Sequence, residues 1–91
     1  MAIIVHFAVE GMNEGKYQEI LRRLEKAGAG APPGRLYHAC YGPKDQLVVT
    51  DVYDTPQSFE AFGKTLVPIL TEMGVKATPD VRPVHNVIVG R

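Results

Sequence analysis

The order in which strand-type and helix-type hydrophobic patterns alternate constrains this fold more than any other sequence feature. Residues 2–9 are short, β-branched and almost wholly apolar, which predicts a strand buried on both faces. Residues 14–27 carry apolar side chains at helical spacing opposite a charged face. This pattern predicts an amphipathic helix that Asn13 caps and Gly28 ends. The chain therefore begins with a strand followed by a helix.

Two further strand-type runs come next, at 36–41 and 46–54, separated by the turn-forming residues 42–45. This spacing predicts an antiparallel hairpin. Side chains alternate between the two faces of a strand, so the second run divides into two sets. One set is Leu47, Val49, Asp51 and Tyr53, and the other is Val48, Thr50 and Val52.

A second helix and a last strand complete the pattern. Thr55 is a suitable cap for a helix over 56–73 that begins with a proline. Pro68 lies inside this helix and predicts a kink or a break. After a connector, residues 81–89 predict a fourth strand, in which Pro83 indicates an edge of the sheet.

The element order β-α-β-β-α-β predicts a ferredoxin-like α+β domain over residues 1–91. Its four antiparallel strands take the order 4-1-3-2, and both helices cover the same face of the sheet. The other face is not polar, because the first strand offers apolar residues on both of its sides. We therefore predict a homodimer in which a second copy covers that face.

Composition excludes several kinds of partner. Ten basic and ten acidic residues balance, whereas a nucleic-acid-binding protein shows a clustered basic excess. No apolar run approaches the ~20 residues that cross a bilayer, and the first residues do not resemble a signal peptide. The single cysteine, Cys40, fits a reducing compartment. We predict a cytoplasmic protein without nucleic-acid or membrane partners.

Asp51 is the most informative polar residue. A carboxylate inside an otherwise apolar strand is costly unless it is paired or hydrogen-bonded. Tyr53 lies two residues further on and projects to the same face. Asp51 could orient a histidine or act as a base with a raised pKa. The alternative is a structural bond to Arg35, Arg82 or a tyrosine hydroxyl.

All three histidines, His6, His38 and His85, fall in predicted strands. Histidine is the most frequent general base near neutral pH, so two of them in one pocket would form a proton-transfer site. The alternative is that each imidazole bonds separately to a nearby acceptor. No HxH, HxxxH or CxxC spacing supports a metal site. We predict His38 or His85 as the base and no bound metal.

Several aromatic residues could line a ligand pocket between the sheet and the helices. Their rings and hydroxyls suit contacts with a small aromatic molecule. The alternative is ordinary packing, in which the second helix fills the space and leaves no pocket. The predicted ligand-binding residues are His6, Tyr41, Phe59 and Phe62.

The chain resembles the dimeric α+β barrel superfamily. The features that it shares are its length, its element order, the junction from Asp51 to Pro56 (DVYDTP) and its aliphatic last strand. The resemblance is to its antibiotic-biosynthesis-monooxygenase-like group. It implies two sheets packed face to face in a dimer and a pocket within each subunit. Members include cofactor-free monooxygenases, haem-degrading enzymes, polyketide cyclases and proteins without a known activity.

This chain departs from the haem-degrading members, which present a histidine from the second helix, because residues 56–73 contain none. It also lacks tryptophan. We therefore predict no cofactor, and cofactor-free oxygenation, isomerisation or cyclisation of a small aromatic or ketone-like compound. His38 or His85 would act as base, and Asp51 and Tyr53 would orient it. The alternative function is a dimer that binds a small ligand without catalysis or has only a structural role.

Overall fold

Six elements follow one another in the predicted order within residues 1–88, the part of the chain that the computed structural model describes. The four strands form one antiparallel sheet in the order β2-β3-β1-β4. The predicted ferredoxin-like α+β architecture and strand order are therefore confirmed. The elements are β1 (Ile3–Val9), α1 (Glu14–Lys26), β2 (Arg35–Tyr41), β3 (Val48–Tyr53), α2 (Pro56–Glu72) and β4 (Ala77–Pro83).

Both helices begin at the predicted caps. The Asn13 side chain accepts a hydrogen bond from the Lys16 backbone N–H at 2.9 Å. The Thr55 hydroxyl accepts one from the Ser58 backbone N–H at 3.1 Å. Each bond satisfies a donor that the first turn of a helix leaves unpaired. The end of α1 at Gly28 is also as predicted, since this residue takes the left-handed φ of 77° that glycine tolerates best.

Pro68 does not interrupt α2, so the predicted break is wrong. Pro68 lies on the exposed side of the helix, as does Lys64, whose carbonyl loses its usual N–H partner. Water can hydrogen-bond a carbonyl in this position, which removes much of the cost of the proline. Neither helix within residues 1–88 is both long and apolar enough to span a membrane.

The last strand begins earlier than the sequence predicts. β4 pairs with β1 from Ala77 opposite Val9 to Pro83 opposite Ile3, so the residues predicted to be a connector belong to the sheet. The strand lies at the sheet edge, as Pro83 indicates, and an edge strand tolerates prolines because one of its sides has no ladder. Residues 84–88 follow the strand without regular structure. The predicted strand end at residue 89 lies outside the described residues.

The two faces of the sheet differ sharply in burial. Ile3, Val5 and Phe7 point toward the helices and are buried, whereas the alternate residues of β1 are exposed. The prediction that β1 is buried on both faces is therefore wrong for the single chain, which leaves the outer face uncovered. The core between the inner face and the helices contains Ile3, Val5, Phe7, Met12, Ile20, Leu24, Leu47, Tyr53, Phe62, Ile69 and Val75.

Candidate active site

His38 and Asp51 form the centre of a polar group inside this apolar layer. They are direct neighbours across the β2–β3 ladder, and opposed residues of neighbouring strands point to the same face. The imidazole Nδ1 lies 2.6 Å from Oδ1 of the carboxylate. Asp51 is the only charged side chain that is buried within residues 1–88, at 2% exposure. Asp51 is therefore hydrogen-bonded, as its cost in an apolar strand requires, and this partner is a partly buried histidine.

Tyr53 forms a hydrogen bond with the second oxygen of the Asp51 carboxylate. Its hydroxyl donates to Oδ2 of Asp51 at 2.9 Å, and the whole side chain is buried. Burial, reinforced by the adjacent carboxylate, raises the pKa of Tyr53 far above its ordinary value. The hydroxyl therefore keeps its proton and acts as a permanent donor. The tyrosine bond predicted as the structural alternative for Asp51 coexists with the histidine bond.

Tyr17, on α1, extends the group from the other side of the imidazole. Its hydroxyl oxygen lies 2.7 Å from Nε2 of His38, and the two rings are parallel, with an interplanar angle of 2°. Burial raises the pKa of Tyr17, an effect that nearby Cys40 strengthens and Arg35 opposes. The phenol is therefore protonated at neutral pH and available as a donor.

The direction of each hydrogen bond follows from the chemistry of Asp51. An ionised carboxylate only accepts, so Nδ1 of His38 must carry a proton. In the neutral imidazole Nε2 is then an acceptor, and the Tyr17 hydroxyl donates to it. The result is a chain of donors from Tyr17 through His38 to Asp51. This order matches the arrangement in which a carboxylate orients a histidine that takes a proton from a hydroxyl.

A β-bulge adds Arg35 to the same face. Arg35 pairs with Tyr53, whereas Tyr37 pairs with Val52, so Leu36 is an extra residue in β2. Strict alternation from His38 would turn Arg35 outward, but the bulge turns it inward. Its Nη2 donates to the carbonyl of Gly30 at 3.2 Å.

A cavity of about 60 Å³ lies between the inner face and the helices. Its polar lining consists of Tyr17, Arg35, His38 and Asp51, and the other lining residues are apolar. Ligand pockets usually measure roughly 300–1,000 Å³, so this cavity suits only a very small molecule in its present form. The apolar lining contains Phe7, Val9, Met12, Ile20, Leu21, Leu24, Val49, Phe62, Leu66, Leu70 and Ala77.

Two predicted ligand-binding residues lie on the opposite side of the sheet. His6 Nδ1 is 3.2 Å from the hydroxyl of Thr50, and the Tyr41 hydroxyl is 3.0 Å from the same oxygen. Strand alternation puts all three on the outer face, away from the cavity. Their predicted place in a pocket between the sheet and the helices is therefore wrong.

His85 also lies apart from this group. It follows the end of β4 at Pro83, is exposed, and does not line the cavity. Its predicted place within a strand is therefore wrong. Arg82, one of the predicted alternative partners of Asp51, instead donates to the carboxylate of Asp80 at 2.9 Å.

Of the two predicted phenylalanines of α2, Phe62 lines the cavity and Phe59 does not. The ring of Phe62 lies beneath the Arg35 guanidinium, 5.8 Å from the carbon of that group. Phe59 packs against Tyr53 at a centroid distance of 5.3 Å and against Phe7 at 6.0 Å. Phe59 therefore supports the position of Tyr53, and Phe62 forms part of the cavity wall.

Tyr17 and Arg35 are the residues that the sequence predictions missed as site members. Helical spacing places Tyr17 on the apolar face of α1, which indicates packing, although its hydroxyl needs a polar partner there. The signal that could have placed Tyr17 in the site is Asp51, a second polar group predicted to face the helices from the sheet. Within residues 1–88, no three His, Cys, Asp or Glu side chains converge on a point where a metal ion could bind.

No protein-family model and no curated protein matches this chain. Solved structures do match it. SnoaB, a cofactor-independent oxygenase from Streptomyces nogalater, is 16% identical, with a TM-score of 0.60 over 96% of this chain and 94% of that one. A proposed antibiotic biosynthesis monooxygenase from Chloroflexus aurantiacus is 18% identical, with a TM-score of 0.60 over 97% and 99%.

A protein from Deinococcus radiodurans with the same proposed assignment is 12% identical, with a TM-score of 0.64 over 100% of this chain and 99% of that one. These likenesses extend over nearly the whole of each chain, so they concern the complete arrangement of strands and helices. At such low identities they are likenesses of fold. The chain has the α+β fold of these antibiotic-biosynthesis-monooxygenase-like proteins.

Proposed function

We propose that this protein is a cofactor-free enzyme that removes a proton from a small, largely apolar ketone or phenol. Tyr17 and His38 are the catalytic residues, and Asp51 and Tyr53 position them. The observation that carries the proposal is the hydrogen-bonded chain Tyr17–His38–Asp51 beside an apolar cavity. His38, rather than His85, is the base because it alone lines that cavity.

The chain of donors supports a concerted transfer. The acidic C–H or O–H bond of the substrate breaks, and its proton goes to the Tyr17 oxygen while the Tyr17 proton goes to Nε2 of His38. The electron pair stays on the substrate as an enolate or phenolate. His38 becomes an imidazolium, and its charge is balanced by Asp51 at 2.6 Å. Return of the proton to another atom gives an isomerisation or closes a ring.

Oxygenation is a second outcome of the same deprotonation. The Streptomyces nogalater protein with this fold is a cofactor-independent oxygenase. Without a cofactor, the electrons that reduce O₂ come from the substrate anion. A CH₂ group and O₂ would then give a carbonyl group and water. Whether O₂ is consumed separates this outcome from isomerisation.

The test is hydrogen exchange at the acidic carbon of a small neutral ketone such as butanone in D₂O, followed by NMR together with an oxygen electrode. We expect the wild-type protein to accelerate exchange and His38→Ala to lose that acceleration. Added imidazole should restore part of the rate in His38→Ala, since it can occupy the vacated space. His85→Ala should keep the wild-type exchange rate, because His38 rather than His85 is the proposed base. A folded His38→Ala protein with the wild-type rate would refute the proposal.

A non-catalytic binding protein is the second candidate, and the small cavity favours it. About 60 Å³ leaves room for only roughly four water-sized groups unless side chains move. A binding protein would return the ketone without deuterium after long incubation. Deuterium incorporation that depends on His38 excludes this candidate.

We also infer that two copies of the chain pair through the outer face of the sheet. Ile4, Tyr37 and Tyr41 are 36%, 62% and 47% exposed there. Apolar area of this kind on one side of a small sheet is typical of an interface. A homodimer would cover it by self-complementary packing. We assign the protein to the cytoplasm, in keeping with its unpaired Cys40.

A further inference from the structure

We propose that Arg35 makes the cavity a binding site for small carboxylic acids, so that the substrate is a short-chain oxo acid. The reaction of these acids rests on the function proposed above, but their binding does not. The bulge accommodates Leu36 as an extra residue and so keeps Arg35 on the inner face of the sheet, opposite Tyr53, where it lines the cavity.

The surroundings of Arg35 hold the guanidinium in place but leave its charge unbalanced. The carbonyl of Gly30 accepts one N–H, and the ring of Phe62 lies beneath the group. No carboxylate of residues 1–88 lies within salt-bridge distance of it. Asp51 is the carboxylate that shares the cavity, and its two oxygens are already bonded to His38 and Tyr53.

A cation in such a place favours an anionic ligand. Arg35 is partly buried, and a charge that loses part of its hydration without a counter-ion is costly, so an anionic ligand lowers that cost. The planar guanidinium offers several N–H groups in a fork that matches the two oxygens of a carboxylate. The remaining lining is apolar, so the ligand needs one charged group at the Arg35 end and apolar atoms elsewhere.

The position of Arg35 also suits the chemistry. Arg35 and the Tyr17–His38 pair are parts of the same polar lining of one small cavity. A molecule that fits so small a space must carry its acidic proton close to its carboxylate. Removing that proton would leave two negative charges on neighbouring atoms, and Arg35 neutralises one of them. The bond that breaks is the C–H bond, and no co-reactant is needed.

The test compares each acid with its uncharged amide, which has nearly the same shape. The probes are 2-oxobutanoate with 2-oxobutanamide, and pyruvate with pyruvamide, measured by calorimetry. We expect the acids to bind the wild-type protein about tenfold more tightly than the amides, the effect of a charge-assisted hydrogen bond. Arg35→Gln should remove this preference and leave amide binding unchanged. Arg35→Lys should restore part of it.

Arg82→Gln is the matched control, because Arg82 is an exposed arginine paired with Asp80 away from the cavity. It should bind all four probes as the wild-type protein does. Equal binding of acids and amides, or equal weakening of both by Arg35→Gln, would overturn the proposal. Failure of both acids to bind at millimolar concentration would overturn it as well.

Hydrogen exchange separates this proposal from the function on which its chemistry rests. Deuterium incorporation at C3 of bound 2-oxobutanoate reports deprotonation, whereas calorimetry reports binding. If the acids bind through Arg35 but exchange no faster than in buffer, the proposed enzyme function fails and the carboxylate site stands. If exchange depends on His38 but not on Arg35, the enzyme function stands and the carboxylate site fails.

Discussion

Asp51 holds the imidazole of His38 at 2.6 Å from directly across the β2–β3 ladder, so the site depends on the register of these two strands. In a sheet, a slip of one residue turns a side chain to the opposite face. A slip of β3 would therefore move Asp51 to the outer face and leave His38 without its partner. Pairing of β3 with β1, where Asp51 lies opposite Val5, fixes the register from the other side.

Asp51→Asn should slow proton transfer without unfolding the protein. The amide keeps the shape of the carboxylate but cannot accept through both of its terminal groups, so His38 loses the partner that fixes its proton on Nδ1. We expect a fall in the exchange rate of about 10²–10⁴-fold. Asp45→Asn, in an exposed turn, is the matched control and should keep the wild-type rate. An Asp51→Asn protein as active as this control would contradict the assignment.

Tyr53→Phe should destabilise the fold at neutral pH. The substitution removes the donor to Oδ2 of a buried carboxylate, which costs about 1–3 kcal/mol in the free energy of unfolding. Urea unfolding followed by circular dichroism measures this change. Gln57→Ala removes an amide group from an exposed side chain of α2, away from the outer face of the sheet, so its effect should stay within about 0.5 kcal/mol. Equal effects of the two substitutions would show that the Asp51 bond contributes little.

The raised pKa values of Tyr53 and Tyr17 predict a loss of stability in alkaline solution. A tyrosine whose pKa is raised in the folded state contributes stability that is complete below its unfolded pKa of about 10. Above that pH, the unfolded chain releases the proton first. The free energy of unfolding should then fall by up to about 1.4 kcal/mol per pH unit for each such tyrosine.

The measurement is a series of urea unfolding curves from about pH 9 to pH 11, across the ordinary tyrosine pKa. Tyr53→Phe should show a shallower decline than the wild-type protein, because one of the contributing groups is gone. Parallel declines in the two proteins would mean that Tyr53 ionises as easily in the folded chain as in the unfolded one.

Glu19 predicts a smaller effect on the acid side. Hydrogen bonds from Arg22 and Arg23 lower its pKa to about 2. A carboxylate with a lowered pKa contributes stability that is complete above its ordinary value and is lost as the pH falls toward the folded value. The melting temperature of Glu19→Gln should therefore fall less than that of the wild-type protein between about pH 5 and pH 2. Glu60→Gln, on the exposed surface of α2, should follow the wild-type curve.

The inferred homodimer predicts that a charge on the outer face separates the subunits. Ile4 lies in a central strand of that face, where Ile4→Lys would place an ammonium group in the interface. Sedimentation velocity should show a dimer for the wild-type protein and a monomer for Ile4→Lys. Val67→Lys changes an apolar residue of α2 that is 58% exposed, and it should remain dimeric. A monomeric wild-type protein at high micromolar concentration would refute the interface.

The element order could be predicted from the sequence because local patterns determine most of it. The caps at Asn13 and Thr55 and the alternation through Asp51 and Tyr53 depend on residues close to one another in the chain. The first half of β4 could not be predicted in this way. Its residues include Pro79 and lack alternation, and they join the sheet through pairing with β1, far away in the sequence.

The site could be predicted only in part for the same reason. The sequence alone points to Asp51, because a carboxylate is unexpected in an apolar strand, but it leaves three histidines as candidate partners. Choosing His38 among them required the register, and finding Tyr17 required the position of α1 over the sheet. The inward orientation of Arg35 could not be predicted, because it depends on a bulge that the residue pattern of β2 does not indicate.

The extra residue in β2 has a consequence for how such sites diverge. Leu36 is 65% exposed and contributes no partner to the ladder, and a chain shortened by this residue would still place Arg35 opposite Tyr53. Deletion at this position should therefore be tolerated and leave the charge of the cavity intact. In a homologue without the insertion, an arginine with the same role would lie in the column of Leu36 rather than of Arg35 unless the alignment opened a gap at this position.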